Sequence, residues 1–336
     1  MGYRQRLLYF VLCMIGGLAL LTGCSLEDER DTCCSGAIIR FRYIEVGEDR
    51  FSNNIHSLRH FLYTGNGVFM REVPSNPYDM KNLYISNLEG GHYKLVTIGN
   101  ATDDKTQLEG LEPFSSTIKD LKLRVRPKVT RDDVETTEYP NADNLFWNEG
   151  DFRVSPDTIE VVYTGALSNI HCHLSIRVYW HTMPRYDGLY VMRLTNVPTA
   201  YTLDPEKEHM KLLYKNYVPD DYYDKDVRLT YPGYEPETGT HSIGVYLFNL
   251  ELKGEFVTLR YNYNQIPTFQ LFHEGRAITK PIDLTRAFRS WHWNPDEQTV
   301  QEYRIQMEIY DDGHIVVSHW LDSNVVDWQD GGRITN

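Results

Sequence analysis

Ile39-Arg40-Phe41-Arg42-Tyr43 is the stretch that decides the fold class, because apolar and charged residues alternate along it. In an extended chain, successive side chains point to opposite faces. A period of two therefore places one face in a core and the other in water. Residues 37–46 are accordingly predicted to form a half-buried β-strand.

The same alternation recurs at short intervals along the chain. It is found in residues 93–95, 121–126, 174–180, 243–247, 257–261 and 304–309. Turn signals separate these segments and lie at residues 65–67, 90–91, 232–233 and 311–313. Many short strands between such turns are typical of sandwiches and barrels. The 24 Tyr residues agree with this class, since aromatic side chains favour half-buried strand surfaces. The sequence thus predicts an all-β protein.

Helix is predicted in two short segments only. Residues 205–217 carry acidic residues first and lysines later, as the helix dipole favours. Residues 284–288 are sufficient for one further turn.

A domain boundary is predicted near residues 150–157. An Asn- and Asp-rich stretch over residues 139–149 gives way there to new alternating patterns, as linkers between domains do. We therefore expect one domain over residues 36–157 and a second over residues 158–336.

The N-terminus has the layout of a secretory signal. Arg4 and Arg6 precede an apolar run over residues 7–21, as in cleavable signals. The run is shorter than the roughly 20 apolar residues that span a bilayer.

The run ends in Leu21-Thr22-Gly23-Cys24, which resembles the bacterial lipobox, where a signal peptidase cuts before a lipid-modified Cys. The alternative is an ordinary secretory signal with a chance Cys. We expect residues 1–23 to be a cleaved signal peptide, Cys24 to carry the lipid and residues 24–35 to form a tether. Buried acyl chains contribute about 0.8 kcal/mol per methylene, so several chains would attach the protein permanently to the cell outer membrane.

Ser25, Glu27, Asp28 and Glu29 follow the lipobox directly. This acidic segment resembles the signal that sends lipoproteins of Bacteroidetes to the outer face of the outer membrane. The alternative is a solvated tether, since charged termini are commonly mobile. The resemblance implies exposure on the cell surface.

Net charge and cysteine content restrict the possible partners of the protein and the possible sources of its stability. Loss of Arg4 and Arg6 with the signal would change the formal net charge from −13 to −15. Phosphate binding requires clustered Lys and Arg. The acidic mature chain is therefore not expected to bind nucleic acid. After Cys24 is lipidated, Cys33, Cys34 and Cys172 remain. Three cysteines allow at most one bridge within the chain, so packed cores must provide the stability.

Three groups of residues are candidate ligand sites, and each has a structural alternative. His171 and His173 flank Cys172 on a probable strand and could share a metal on one face, or they could be hydrogen-bonded structural residues. Trp291 and Trp293, on either side of His292, could stack on a sugar ring, or they could pack half in the core.

The third group is an acidic cluster formed by Asp220, Asp221, Asp224 and Asp226. These carboxylates could hold Ca²⁺, but the loop pattern of a calcium-binding hand is absent, and a solvated loop is the alternative. No metal or other cofactor is therefore predicted. The sequence contains no nucleophile elbow, zinc helix motif or phosphate-binding loop, so we do not predict an enzyme.

Several segments resemble the fimbrillin-associated anchor proteins of Bacteroidetes, of the FimB and Mfa2 type. Besides Cys24, these are residues 37–43, residues 88–96 with the order Leu, Gly-Gly, Tyr and apolar, and a closing pattern in the C-terminal half. The closing pattern is formed by residues 281–285, 301–303, 312–313 and 325–328. One departure is Thr97-Ile98-Gly99, where family members often read Ala-Trp-Gly.

The resemblance implies two transthyretin-like antiparallel β-sandwich domains and a role in fimbriae and cell adhesion. It implies a lipid-anchored minor subunit that attaches a fimbrium to the outer membrane, with pilin subunits as partners joined by β-strand addition. The alternative function is that of a glycan-binding surface lipoprotein that uses exposed aromatic side chains.

Overall fold

The computed structural model describes residues 35–128, 137–155, 160–202, 229–232, 237–320 and 334–335. The predicted signal peptide, the lipobox with Cys24, the acidic segment behind it, the helix over residues 205–217 and the Asp cluster at residues 220–226 lie outside the described residues.

Strands are the main elements of the described chain. In chain order they are β1 (Ser35–Arg42), β2 (Ile44–Glu45), β3 (Glu48–Asp49), β4 (Leu58–Thr64), β5 (Phe69–Val73), β6 (Asn82–Leu88), β7 (Gly91–Gly99), β8 (Thr106–Glu109), β9 (Lys122–Val125), β10 (Glu138–Tyr139), β11 (Phe146–Val154), β12 (Glu160–Ala166), β13 (Ser168–Asn169), β14 (His171–Trp180), β15 (Leu189–Thr202), β16 (Glu237–Tyr246), β17 (Glu251–Leu259), β18 (Thr268–His273), β19 (Arg276–Ala277), β20 (Ile282–Asp283), β21 (Gln301–Ile309), β22 (Ile315–His319) and β23 (Ile334–Thr335). The helices are α1 (Phe51–Asn54), α2 (Thr285–Ser290) and a 3₁₀ turn (Ile118–Asp120). The predicted all-β fold is confirmed, and α2 occupies the predicted helical turn.

The strands form four main sheets. Sheet I has the order β12-β1-β6, and sheet II has the order β13-β11-β7-β4-β5. Sheet III contains β10-β16-β15-β18-β19, with β9 and β8 added beside β15 and β20 beside β18. Sheet IV has the order β17-β14-β21-β22-β23. Most pairs are antiparallel, whereas β1 with β12, β10 with β16 and β14 with β21 run parallel.

The alternation that opened the sequence is visible in β1. Ile39 and Phe41 are buried, whereas Arg40 and Arg42 are exposed. The predicted strand over residues 37–46 breaks at Tyr43, which is itself buried, and β2 then pairs with β3.

Three apolar cores hold the sheets together. The first lies between sheet I and one face of sheet II and includes Phe41, Leu62 and Leu95. The second lies on the other face of sheet II, against the β9 end of sheet III, and includes Trp147 and Tyr201. Sheet II is therefore buried on both faces, which explains the continuous runs of buried residues in β4 and β7.

The third core lies between sheets III and IV. It includes Met192 and Phe269 from sheet III, and Leu174, Ile176 and Ile305 from sheet IV. We refer to sheets I and II as the first sheet pair and to sheets III and IV as the second sheet pair.

The two sheet pairs share strands across the predicted domain boundary. β12 follows residue 157 but pairs with β1. β9 precedes that residue but pairs with the C-terminal end of β15. β11 runs through residues 150–154 of the predicted linker. The division at residues 157 and 158, and the count of two domains, stay predictions.

Candidate functional site: the junction cleft and a free strand edge

A polar cleft of about 620 Å³ lies where the two sheet pairs meet. Tyr43 and Asn100 line it from the first pair, and His171, His173 and Glu302 line it from the second. We call it the junction cleft.

Asn100 organises one wall of the junction cleft. Its Oδ1 accepts hydrogen bonds from the backbone N–H groups of His56 (2.7 Å) and Ser57 (3.3 Å). Its Nδ2 donates to the carbonyls of Asn54 (2.7 Å) and Asn144 (3.1 Å). Asn100 has a φ of 60°, a left-handed conformation that Asn tolerates better than most residues. This one side chain thus joins two loops at the junction.

The Asn- and Asp-rich segment connects the two sheet pairs, because it runs from β10 in sheet III to β11 in sheet II. Asp143 accepts hydrogen bonds from the hydroxyls of Thr102 (2.9 Å) and Thr106 (2.8 Å). Asn141 accepts from the backbone N–H of Val257 (3.0 Å) and donates to the carbonyl of Glu255 (3.2 Å). The segment whose composition suggested a linker therefore forms a hydrogen-bonded connection between the two sheet pairs.

His171 and His173 lie on one face of β14, as the spacing predicted, with ring centroids 5.1 Å apart. The Nδ1 of His171 is 2.9 Å from the carbonyl oxygen of Leu145, and the Nε2 of His173 is 2.9 Å from the Oδ1 of Asn144. Burial lowers the pKa of His171 to about 3, so this ring is neutral at pH 7. The described residues contain no group of three or more His, Cys, Asp or Glu side chains placed to hold a metal. The contacts with Leu145 and Asn144 are those expected of the structural alternative, in which both rings are hydrogen-bonded.

Trp291 and Trp293 pack against the third core. Their ring centroids are 4.7 Å apart in an edge-to-face arrangement. Trp293 also contacts Phe288 and Tyr303, at centroid distances of 5.2 and 5.0 Å. Both indoles are half-buried against this core, as the packing alternative for the pair predicts.

β12 is an open edge of sheet I. Within the part of the chain that the structure describes, β12 ends the sheet and pairs only with β1. Val162 on β12 stands beside Ile38, which in turn stands beside Tyr84 on β6. Val162 and Tyr84 are about half exposed. Among the described residues, this edge has a row of apolar side chains and no strand on its outer side, as strand-adding edges do.

Two other edges, those of β17 and β5, are covered by neighbouring segments of the chain. Ala142 N–H donates to the carbonyl of Val257 (2.7 Å) on the outer side of β17. On β5, Phe69 exchanges backbone hydrogen bonds with Phe114 and Ser116 (both 2.8 Å).

Four exposed apolar side chains at the far end of the second sheet pair were not predicted from the sequence. They are Met183, Leu189, Tyr246 and Phe248. The alternation in β16 could have indicated that Tyr246 is exposed, because Tyr246 lies on the opposite face of the strand from the buried Val245.

The helices of the described residues include none that is long and apolar enough to cross a membrane.

A family model described as fimbrillin-A associated anchor proteins Mfa1 and Mfa2 matches residues 29–310. The chain belongs to this family. The family is one of structural, fimbria-associated proteins, and the resemblance drawn from the sequence is confirmed.

Solved structures agree on the fold. The fimbrial anchor protein Mfa2 from Porphyromonas gingivalis is similar with a TM-score of 0.56 and 13% identity, and the match covers 86% of this chain and 99% of that one. A proposed polysaccharide-binding protein from Bacteroides thetaiotaomicron has a TM-score of 0.59 and 13% identity, covering 87% and 100%. A proposed adhesin from the same organism has a TM-score of 0.54 and 13% identity, covering 85% and 97%. Among curated proteins, none matches the chain.

Proposed function

We propose that the protein is a lipid-anchored minor fimbrial subunit that attaches a fimbrium to the outer membrane by binding pilin subunits. The observation that carries this proposal is the match of residues 29–310 to the anchor family. The all-β fold with an open strand edge supports it.

Lipid at Cys24 is the proposed attachment to the membrane. Leu21, Thr22 and Gly23 supply the small and apolar residues expected before the modified Cys. Labelled palmitate should enter the wild-type protein and not Cys24→Ala, which should accumulate as unprocessed precursor. Equal labelling of both proteins would overturn the lipid assignment.

The acidic segment is the proposed signal for surface exposure. Replacing Glu27, Asp28 and Glu29 by Ala should leave palmitate labelling intact but protect the protein from protease added to whole cells. Equal cleavage of both versions would show that these residues are not the signal.

We propose β12 as the edge through which a pilin strand is added. Each backbone hydrogen bond of an added strand contributes roughly 0.5 to 1.5 kcal/mol, so several bonds together with packing against Val162 would give a firm joint. A charge at the centre of an edge opposes such pairing.

The edge is tested by Val162→Lys in the full chain, with Tyr78→Lys as a control at an exposed loop position of the first sheet pair. The yield of pilin recovered with the protein from cells after mild crosslinking should fall at least tenfold for Val162→Lys and stay unchanged for Tyr78→Lys. Unchanged recovery with Val162→Lys would remove β12 from the proposal. Absence of pilin from the wild-type sample would overturn the proposed function.

Glycan binding is the second candidate, and the junction cleft is the observation that favours it. Asn and His side chains line the cleft, and such groups orient sugar hydroxyls in binding sites. Selective binding to a glycan array, lost on Asn144→Leu, would favour this function.

A further inference from the structure

A smaller polar depression, of about 140 Å³, lies on the outer face of sheet IV, which is the face opposite the third core. His173 and Glu302 line both this depression and the junction cleft. These two residues stand side by side in the register of β14 and β21. The depression therefore adjoins the junction cleft along this pair, and we call the two together the junction groove.

Ser175 creates the depression. It stands between Glu255 on β17 and Arg304 on β21. Its side chain shares a face of β14 with the side chains of His173 and Arg177, because each lies two residues away along the strand. All four neighbours carry longer side chains than Ser175. The short side chain of serine thus leaves a space that a larger side chain would fill.

The polar groups at the cleft end of the junction groove are held in fixed positions. Asn169 is buried, and its Oδ1 accepts a hydrogen bond from the backbone N–H of His171 (3.1 Å). Its Nδ2 lies 3.2 Å from the Nε2 of His171, and the Oδ1 of Asn144 lies 2.9 Å from the Nε2 of His173. Groups that are already fixed lose little conformational freedom when a ligand binds. The groove is thus preorganised.

Negative charge prevails along the junction groove. Among the described residues that line it, carboxylates outnumber lysine and arginine by four to two: Glu45, Asp143, Glu255 and Glu302 against Lys105 and Arg304. The whole chain is also acidic, with a formal net charge of −13. Like charges repel, and they do so most strongly where water is partly excluded. An anionic ligand is therefore disfavoured.

The uncharged polar groups of the junction groove suit sugar hydroxyls. The amide of Asn provides both donors and acceptors, as a neutral imidazole does, and a hydroxyl group also donates and accepts. Val257 and Val300 add apolar surface to the cleft, against which the C–H face of a sugar ring can pack. The cleft volume of about 620 Å³ lies within the range of roughly 300 to 1,000 Å³ found for small-molecule sites. A neutral carbohydrate therefore fits both the chemistry and the size of the site.

We propose that the junction groove binds an uncharged oligosaccharide, which lies in the junction cleft and extends past His173 and Glu302 over Ser175. The inference deepens the glycan-binding candidate and rests on it, and it is independent of the proposed attachment to pilin. A sugar that reaches Ser175 makes contacts that a shorter chain does not make, so the affinity should rise with chain length. A carboxylate on that sugar should weaken binding, since it would approach Glu255 and Glu302.

The first test measures dissociation constants for the full chain, purified in detergent from its native membrane, with neutral oligosaccharides from disaccharides to hexasaccharides. In a series that binds, the longer chains should bind at least tenfold more tightly than the disaccharide. Ser175→Trp should remove this gain but keep the wild-type affinity for the disaccharide, and Ser175→Leu, a smaller obstruction, should remove part of it. Ser86→Trp is the matched control, because Ser86 is an exposed strand residue of sheet I, and its binding should equal that of the wild type.

The second test compares each neutral chain with a counterpart that carries uronic acids. The neutral chain should bind at least tenfold more tightly at low salt, where charge repulsion is least screened. The difference should shrink in Glu255→Gln/Glu302→Gln, because the two carboxylates that repel an acidic chain are then absent.

The possible results separate this inference from the functions proposed above. If the wild type binds no glycan, the inference and the glycan-binding candidate both fail, while the attachment to pilin is unaffected. If the wild type binds glycans without a gain from chain length, or if Ser175→Trp keeps that gain, the inference is wrong although the glycan-binding candidate stands. Equal or tighter binding of the acidic chains would also overturn the inference.

Discussion

At the scale of single residues, buried histidines distinguish this chain. His60 lies 3.0 Å from the hydroxyl of Thr97 through its Nδ1, and His171 and His241 are equally buried. Burial lowers the pKa of His60 to about 4 and the pKa values of His171 and His241 to about 3. All three are neutral in the folded protein at pH 7.

These histidines should make the protein sensitive to acid. The unfolded chain binds their protons near pH 6.5, whereas the folded chain binds them only near pH 3 to 4, so stability is complete above pH 6.5 and falls as the pH is lowered. Each buried histidine should cost up to about 1.4 kcal/mol of unfolding free energy per pH unit in that range.

The measurement is urea unfolding at pH 7.5 and at pH 5, comparing wild type with His60→Gln and with the exposed control His292→Gln. The loss of stability between the two pH values should be smaller for His60→Gln than for wild type and unchanged for the control. An equal loss in all three proteins would contradict the role assigned to His60.

A second feature at this scale is the departure at Thr97-Ile98-Gly99. Ile98 stands opposite Trp147 on β11, and both lie in the second core. In this chain, the indole of Trp147 therefore fills the second core beside Ile98. The sequence showed the departure at Thr97-Ile98-Gly99 but not the contact between Ile98 and Trp147. That contact depends on the register of β7 against β11, which a single sequence does not give.

Ile98→Trp should therefore overpack the second core. The expected loss of unfolding free energy is about 1 to 3 kcal/mol, and Ile98→Trp/Trp147→Ile should recover part of it because total volume is restored. Thermal unfolding of the three proteins measures this. Additive losses in the double variant would show that the two positions do not share one space.

At the scale of elements, alternation located the strands well. The predicted segments over residues 174–180 and 304–309 lie within β14 and β21, and the Gly-rich turns at residues 65–67 and 90–91 connect β4 to β5 and β6 to β7. The parallel pairs could not be predicted, because β1 and β12 are joined across more than a hundred residues and local periodicity carries no information on distant partners.

β15 is the element that links the two sheet pairs. Its first half pairs with β16 and β18, and its last residues pair with β9. An irregularity in register lies between these parts at Asn196, which has a φ of 62° and whose Nδ2 donates to the carbonyl of Ile266 (3.2 Å). The bulge permits one strand to serve both cores.

Asn196→Ala and Asn196→Gly should differ in stability, although both remove the side-chain hydrogen bond. Ala in the left-handed conformation costs roughly 1 to 2 kcal/mol, whereas Gly adopts it freely. The Ala variant should be about 1 kcal/mol less stable by urea unfolding. Equal stabilities would show that the positive φ is not maintained by the fold.

At the scale of the whole molecule, the proposed tether and the proposed strand-adding edge belong to the same sheet pair. Residues before Ser35 would supply the lipid attachment, and β1, which begins at Ser35, pairs with β12. The membrane end could be predicted from the sequence, because signal and lipobox are linear motifs. The β12 edge could not be predicted, because residues 35–42 and 160–166 pair only once the chain has folded.

If the protein anchors a fimbrium, its lipid and its subunit contacts act in series under shear. A fimbrium bound to a protein without lipid should then leave the cell, even though subunit synthesis and assembly continue.

The most direct measurement compares fimbriae on washed cells with fimbriae in the medium, for the wild type and for Cys24→Ala expressed at the same level. The proposed function predicts that the variant shifts fimbriae from the cells to the medium while total subunit stays constant. Normal amounts of cell-attached fimbriae in Cys24→Ala cells would contradict it.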